Sequence, residues 1–274
     1  MIVINATKSS IKILAFSLLL SMMPSIGCKK FKAPPPEIPK EEIIKPETGE
    51  PKEKLFLPVK FESPALTLEI EYTAHTGFIN ILKFSNGQQY EITYVDALLK
   101  KLRQFNSGKE IYFADYLAAS GKITRVSPFE INGQRDDSKG KYLLTYDAGG
   151  QLSTSKWYNV ANSLVEEKEF YYGPTGLLTT STAKKINTVN ASYTYDTKKG
   201  IFSNVKSFQL LSMEVRYAFL NYGACNLTKY TEATDEKATL GYTYIYNTDN
   251  YPGEITIKTA SATQTFKISY IELK

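Results

Sequence analysis

The chain has 274 residues, a formal net charge of +5, two cysteines and one histidine. Two cysteines exclude a disulfide framework, and one histidine without a clustered Cys/His set excludes the common zinc centres. The first 28 residues carry +2 and the proline-rich stretch after them +1, which leaves +2 on the body with no block of like charge. A nucleic-acid binder carries a clustered basic face, so no nucleic-acid partner is expected, and no cofactor either.

Lys8 and Lys12 open the chain, an apolar run from Ile13 to Met23 follows, and Ser25-Ile26-Gly27-Cys28 ends the segment. A spanning helix needs about 20 apolar residues. This run is shorter and is interrupted by Ser17, Ser21, Pro24 and Ser25, so residues 1–27 read as an export signal that is removed. The small residue Gly27 before Cys28 resembles a bacterial lipobox. That resemblance implies a lipoprotein in which Cys28 becomes the new N-terminus, carrying a diacylglyceryl thioether and an N-acyl chain such as palmitate. Several acyl chains hold a protein to a bilayer stably where one does not. The expected address is the outer membrane, anchored by lipid. The periplasmic face is preferred to the cell surface, because Lys29 and Lys30 rather than an acidic run follow the cysteine. Cys225 then has no partner and reads as a small buried hydrophobe.

Residues 28–54 comprise the lipidated cysteine and a tether. Six of the twelve prolines fall between Pro34 and Pro51, Lys and Glu are nearly balanced, and Phe31 is the single aromatic. Such a composition cannot bury enough apolar surface to offset ordering entropy. It tends to extended polyproline II at about 3.1 Å per residue.

Residues 55–274 read as one all-β domain. All twenty tyrosines lie at or beyond Tyr72. Leu66, Leu68, Ile70 and Tyr72 alternate with Thr67, Glu69 and Glu71; Leu240, Tyr242, Tyr244 and Tyr246 alternate with Thr243 and Ile245; Phe266, Ile268 and Tyr270 alternate with Lys267 and Ser269. Period two with aromatic and β-branched residues is the strand signal. Asp96–Phe105 reads two ways. Leu98, Leu102 and Phe105 share a helical stripe, while the strands on either side favour a hairpin.

A frame recurs in Tyr116…Gly121-Lys122-Ile123, Tyr146-Asp147-Ala148-Gly149-Gly150-Gln151-Leu152, Tyr172-Gly173-Pro174-Thr175-Gly176-Leu177-Leu178 and Tyr195-Asp196-Thr197-Lys198-Lys199-Gly200-Ile201. An aromatic ends a strand, a polar turn follows, glycine takes a positive φ, and an apolar residue starts the next strand. Tyr244-Ile245-Tyr246-Asn247-Thr248-Asp249-Asn250-Tyr251-Pro252 reads as a last, degenerate copy. Gly121, Gly150, Gly176 and Gly200 are spaced 29, 26 and 24 residues apart, the period of stacked hairpins. The frame resembles the YD (RHS-like) repeats of bacterial envelope lipoproteins, although two of the four units lack the Asp. The resemblance implies antiparallel hairpins in an extended, twisted or curled sheet, an open barrel or a superhelical sheet. It supplies no catalytic residues.

His75 falls where a turn is expected and reads as a solvated loop residue. No Gly-x-Ser-x-Gly elbow and no phosphate-cradling glycine loop is present. The carboxylate clusters Glu166-Glu167-Glu169, Asp136-Asp137 and Asp235-Glu236 suit a glycosidase in type, but they lie in polar contexts or beside lysine and read as surface charge. Catalytic residues and a metal site are therefore not expected. The unique Trp157, with Tyr158 and Asn159, forms the candidate ligand-binding group, since a Trp-Tyr pair beside Asn can stack on a sugar ring. Tyr217, Phe219 and Tyr222 form a weaker aromatic cluster. The expected role is a non-catalytic envelope protein that binds or scaffolds. A carrier holding a glycan or lipid on a concave aromatic face is the alternative, and a two-carboxylate carbohydrate-active enzyme ranks below both. Expected partners are the membrane, through the lipid, and a glycan, lipid or envelope protein.

Overall fold

A computed structural model describes residues 54–273, apart from 75, 134, 185–188, 216, 222 and 233–234; at 189–190 and 235–238 it describes backbone alone. The signal, Cys28, the tether up to residue 53, His75 and Tyr222 lie outside the described residues. The strands are β1 (Phe56–Glu62), β2 (Thr67–Tyr72), β3 (Ile79–Phe84), β4 (Gln88–Val95), β5 (Leu98–Asn106), β6 (Lys109–Ala119), β7 (Lys122–Asn132), β8 (Arg135–Ser138) and β9 (Lys141–Tyr146). They continue as β10 (Leu152–Tyr158), β11 (Leu164–Tyr172), β12 (Leu178–Lys184), β13 (Val189–Tyr195), β14 (Leu227–Glu232), β15 (Asp235–Tyr246), β16 (Pro252–Lys258) and β17 (Thr263–Glu272). One helix, α1 (Phe208–Glu214), interrupts them between β13 and β14.

Neighbouring strands pair antiparallel in chain order, and β17 pairs back onto β1 from Phe56↔Glu272 to Glu62↔Lys267. β8 and β9 both lie against β7, so they act as one interrupted stave, and the result is a closed barrel of 16 staves. The expected open or superhelical sheet is therefore corrected: the sheet curls until its edges meet. Closure removes the unpaired N–H and C=O groups that an open array leaves at both ends.

The hairpins show why the sequence turns where it does. Asp96-Ala97, Ser107-Gly108 and Ser120-Gly121 hold φ of 51° and 62°, 50° and 80°, and 51° and 74°. Positive φ at both central residues is the two-residue turn that matches strand twist, so Asp96–Phe105 is a hairpin and not a helix. Longer turns repeat one bonding scheme. Asp147 Oδ1 accepts from the N–H of Gln151 at 2.8 Å, Asn159 Oδ1 from Ser163 at 3.0 Å and Asn247 Oδ1 from Tyr251 at 3.0 Å. The residue three further on takes positive φ: Gly150 at 85°, Asn162 at 59° and Asn250 at 63°, as does Gly176 at 75° in the turn that begins at Gly173.

The tyrosines at or near strand ends have a common task. The hydroxyl of Tyr72 donates to Pro58 O at 2.7 Å, Tyr146 to Ile123 O at 2.8 Å, Tyr172 to Leu152 O at 2.9 Å, Tyr244 to Leu227 O at 2.6 Å and Tyr270 to Pro252 O at 2.9 Å. Each acceptor lies near the end of a neighbouring stave at the same rim. The ring fills the core and the hydroxyl satisfies a backbone carbonyl at the barrel edge.

The Tyr195–Ile201 unit departs from the hairpin expectation. The described residues between Tyr195 and Leu227 leave the wall and pack inside the barrel. Gly200 has no need of positive φ; it is required by close approach, because a Cβ there would stand 2.2 Å from Gly223 O. Asp196 Oδ1 accepts from Lys198 N at 3.0 Å in a local turn, and it also reaches across to the far end of the segment. Its Oδ1 accepts from Asn226 N at 3.0 Å, and Asn226 Oδ1 accepts from Ile201 N at 3.0 Å, so the two residues staple the start of the segment to its end. Within the lumen, Phe202 stacks on Phe208 with centroids 3.9 Å apart and on Phe61 of β1 at 5.7 Å; Phe219 lies 4.5 Å from Phe266 of β17, and Tyr217 4.3 Å from Phe84 of β3. Helix α1 has no side-chain N-cap and is held by the burial of Phe208 and Leu211, as expected for a short helix. Cross-strand partners share a face. Leu68, Leu82, Ile92, Leu102, Ala114 and Val126 thus point inward and are at most 2 % exposed.

Two substitutions test this packing. Phe202→Ala is expected to lower unfolding stability by about 3–5 kcal/mol, read as a shift of the urea midpoint. Ala97→Gly is expected to raise it by about 0.5–1 kcal/mol, because glycine carries no left-handed penalty.

Candidate functional site

The outer and inner faces of the wall differ in chemistry. Outward cross-strand pairs are of opposite charge: Glu69↔Lys83, Glu91↔Arg103, Lys101↔Asp115, Lys156↔Glu167, Glu167↔Lys184 and Glu254↔Lys267. Several form contacts, including Lys156–Glu167 at 3.2 Å, Lys184–Glu169 at 2.5 Å and Arg103 Nε to Glu110 at 2.9 Å. Hydrogen bonding to Arg103 holds the Glu110 carboxyl below its usual range, and hydrogen bonding to Lys184 does the same for Glu169. Exposed apolar residues Val95, Leu117, Tyr171, Ile245 and Ile271 sit on five separate strands. An open cleft of about 390 Å³ on this outer face is lined by Lys101, Arg103, Glu110, Phe113, Ile131 and Asp136. Its cations are already engaged: Lys101 lies 3.7 Å from Asp115 and over the Phe113 ring, and Arg103 is held by Glu110 and Glu91.

The inner face divides into two parts. From β17 through β3 it is apolar and packed against residues 196–226. From β9 through β13 it carries polar groups. One row runs Val126↔Tyr142↔Trp157↔Glu166 across β7, β9, β10 and β11, and the next runs Leu144↔Ser155↔Lys168↔Ala183. The Tyr142 and Trp157 rings stack with centroids 6.1 Å apart and planes 22° from parallel. Lys168 Nζ lies 3.6 Å from Glu166 Oε1, and these inward side chains are 46 % and 30 % exposed. Water therefore reaches them inside the barrel. Tyr142, Trp157 and Glu166 lie near the rim that carries turns 107–108, 139–140 and 159–163. Tyr112 of β6 donates from its hydroxyl to Glu214 of α1. Burial first, then the Glu214 charge, pushes the Tyr112 phenol far up, and Tyr142 adds to the same effect. The row and the end of the helix thus face one space. Trp157 Nε1 is buried and has no acceptor among the described residues.

The sequence-predicted trio is only partly assembled. Trp157 points into the lumen, Tyr158 follows it onto the outer face beneath Lys141 Nζ, and Asn159 is consumed by its own turn. Period two separates adjacent strand residues in this way, a signal already present in Lys156-Trp157-Tyr158. Glu166, read from sequence as surface charge, is inward, whereas Glu167 and Glu169 are outward and paired with lysines. Side chains of Asp235 and Glu236 lie outside the described set. Tyr217 and Phe219 are packed into the core. Cys225 is half-buried, and burial pushes its thiol up. Lys168, Tyr112 and Glu214 were not singled out by sequence; the position of α1 inside the barrel brings Glu214 to the site, and no local pattern carries that.

No family model and no curated protein sequence matches the chain. Two solved structures share its fold. A porin-like protein from Bacteroides uniformis ATCC 8492 superposes with a TM-score of 0.51 and 12 % identity, covering 80 % of this chain and 96 % of that one. A porin-like protein from Bacteroides vulgatus ATCC 8482 gives a TM-score of 0.50 and 12 % identity, covering 78 % and 99 %. The fold class is thus an antiparallel, closed 16-stave barrel of the porin-like kind.

Burial also predicts an alkaline limit. The phenols of Tyr90, Tyr94, Tyr116, Tyr244 and Tyr270 are pushed well above their ordinary value of 10.0, and that of Tyr242 to about 12. The unfolded phenols titrate near 10.0, so the stability linked to them is intact below that pH and is lost as pH rises from there through the folded values. Tyrosinate absorbance is expected to rise late and together with unfolding. A smooth titration near 10 in a chain that stays folded would contradict the burial.

Proposed function

We propose that this protein is a lipid-anchored envelope lipoprotein, held to the outer membrane through Cys28 on the 28–54 tether. Its barrel stands in water on the periplasmic side as a non-catalytic binding module. The observation that carries the reading is the set of opposite charges that face each other on the outer wall across β2–β3, β4–β5, β5–β6 and β10–β11. A membrane-spanning barrel presents an apolar band to lipid, where each Lys or Arg at mid-depth costs about 2–4 kcal/mol. This barrel has the reverse pattern, charge outside and hydrocarbon inside, so the lipid and not the wall is its attachment. The hairpin frame in front of the tyrosine rungs agrees with kinship to YD-like envelope lipoproteins.

Binding rather than catalysis is favoured because the carboxylates nearest the lumen opening are engaged, Glu166 by Lys168 and Glu214 by Tyr112. The carrier reading, a glycan or lipid on the aromatic inner face, is favoured by one observation: the stacked Tyr142–Trp157 pair beside half-exposed inward charges.

Detergent phase partitioning of the full chain tests the anchor against a spanning wall. The wild-type protein is expected in the detergent phase with an acyl mass on residue 28, and Cys28→Ser is expected in the aqueous phase with its β circular dichroism unchanged. Retention of folded Cys28→Ser in the membrane would overturn the reading.

A further inference from the structure

We infer that the inner wall of β9–β11 is a binding site for an uncharged oligosaccharide, entered from the rim of turns 107–108, 139–140 and 159–163. This deepens the binding role proposed above and rests on it.

The argument begins with what lines the space. Tyr142 and Trp157 present a stacked aromatic surface, centroids 6.1 Å apart. Ser155, Glu166 and Lys168 lie on the same face of the same strands, by register. A pyranose ring has apolar C–H faces and a belt of hydroxyls that both donate and accept, which suits an aromatic surface rimmed by a carboxylate and an ammonium. A fatty chain would strip water from Lys168 and Glu166 and return no hydrogen bond, at a cost of about 1–3 kcal/mol for each group. A charged ligand gains little, because Glu166 and Lys168 already neutralise each other at 3.6 Å. Trp157 Nε1 is a buried donor that the described protein leaves without an acceptor, and a sugar hydroxyl is an acceptor of the right kind. The half-exposure of Lys168 and Glu166 shows that the interior segment does not cover this part of the wall.

Trp157 is the one tryptophan of the chain, so its fluorescence reports on this site alone. Full-length protein in a zwitterionic detergent is titrated with maltohexaose, cellohexaose, chitohexaose and xylohexaose, with acrylamide quenching run alongside. At least one hexasaccharide is expected to shift the emission saturably and to reduce quenching. Lys168→Ala and Tyr142→Ala are expected to weaken that binding at least tenfold by calorimetry, while Tyr158→Ala, next in sequence but on the outer face, leaves it unchanged. If acrylamide quenches Trp157 but no hexasaccharide shifts it, the ligand class is wrong and an open lumen site stands. If acrylamide does not reach Trp157 either, the lumen is closed there, and both the sugar site and the lumen-binding role fail. The wild-type titration decides these outcomes even if a variant fails to fold.

Discussion

Closing sixteen staves into one ring creates an interior that strand side chains do not fill by themselves. The rest of this structure depends on how that space is occupied. Residues 196–226 supply a chain of aromatic contacts from Phe61 through Phe202 to Phe208, and from Phe219 to Phe266. The Asp196–Asn226 staple fixes the two ends of that segment side by side, so the detour costs the wall no break in its pairing: β13 and β14 still meet directly. The interior segment packs its aromatic residues on the first half of the wall, reaches β11 through Gln209 on the Tyr172 hydroxyl at 3.0 Å, and leaves Glu166 and Lys168 partly exposed.

The same constraint orders the electrostatics. An apolar interior favours charge on the outside or, within, beside a partner. On the outside, opposite charges face each other across strands, each pair contributing about 0.2–1 kcal/mol. On the inside, Glu166 with Lys168 and Glu214 with Tyr112 keep buried or half-buried charge partnered. A barrel built this way resembles porin-like proteins in its path through space and has a wall chemistry suited to water.

Much of the wall was legible in the sequence. Period-two strings marked the strands, and Glu69, Glu71, Thr243 and Lys267 fell on the solvent side as alternation requires. The turn signals at Gly121, Gly150 and Gly176 marked true positive-φ positions. What remained hidden is non-local. Closure depends on β1 meeting β17 across the whole chain, and no local pattern encodes a pairing at that separation. The Tyr195–Gly200 unit resembles its neighbours in local sequence, yet Gly200 serves a close approach to Gly223, which only the returning chain reveals. At the candidate site, Trp157 was visible as a unique residue. Its separation from Tyr158 followed from alternation, but its meeting with Glu166 and Lys168 depended on register set by the bulge between Trp157 and Tyr158.

The central claim is that the sheet is a sealed ring, and amide hydrogen exchange tests it most directly. With closure, the amides of β1 and β17 are protected to the same degree as those of β4 and β5 in mid-wall. Rapid exchange confined to both β1 and β17, the signature of two free edges, would contradict it.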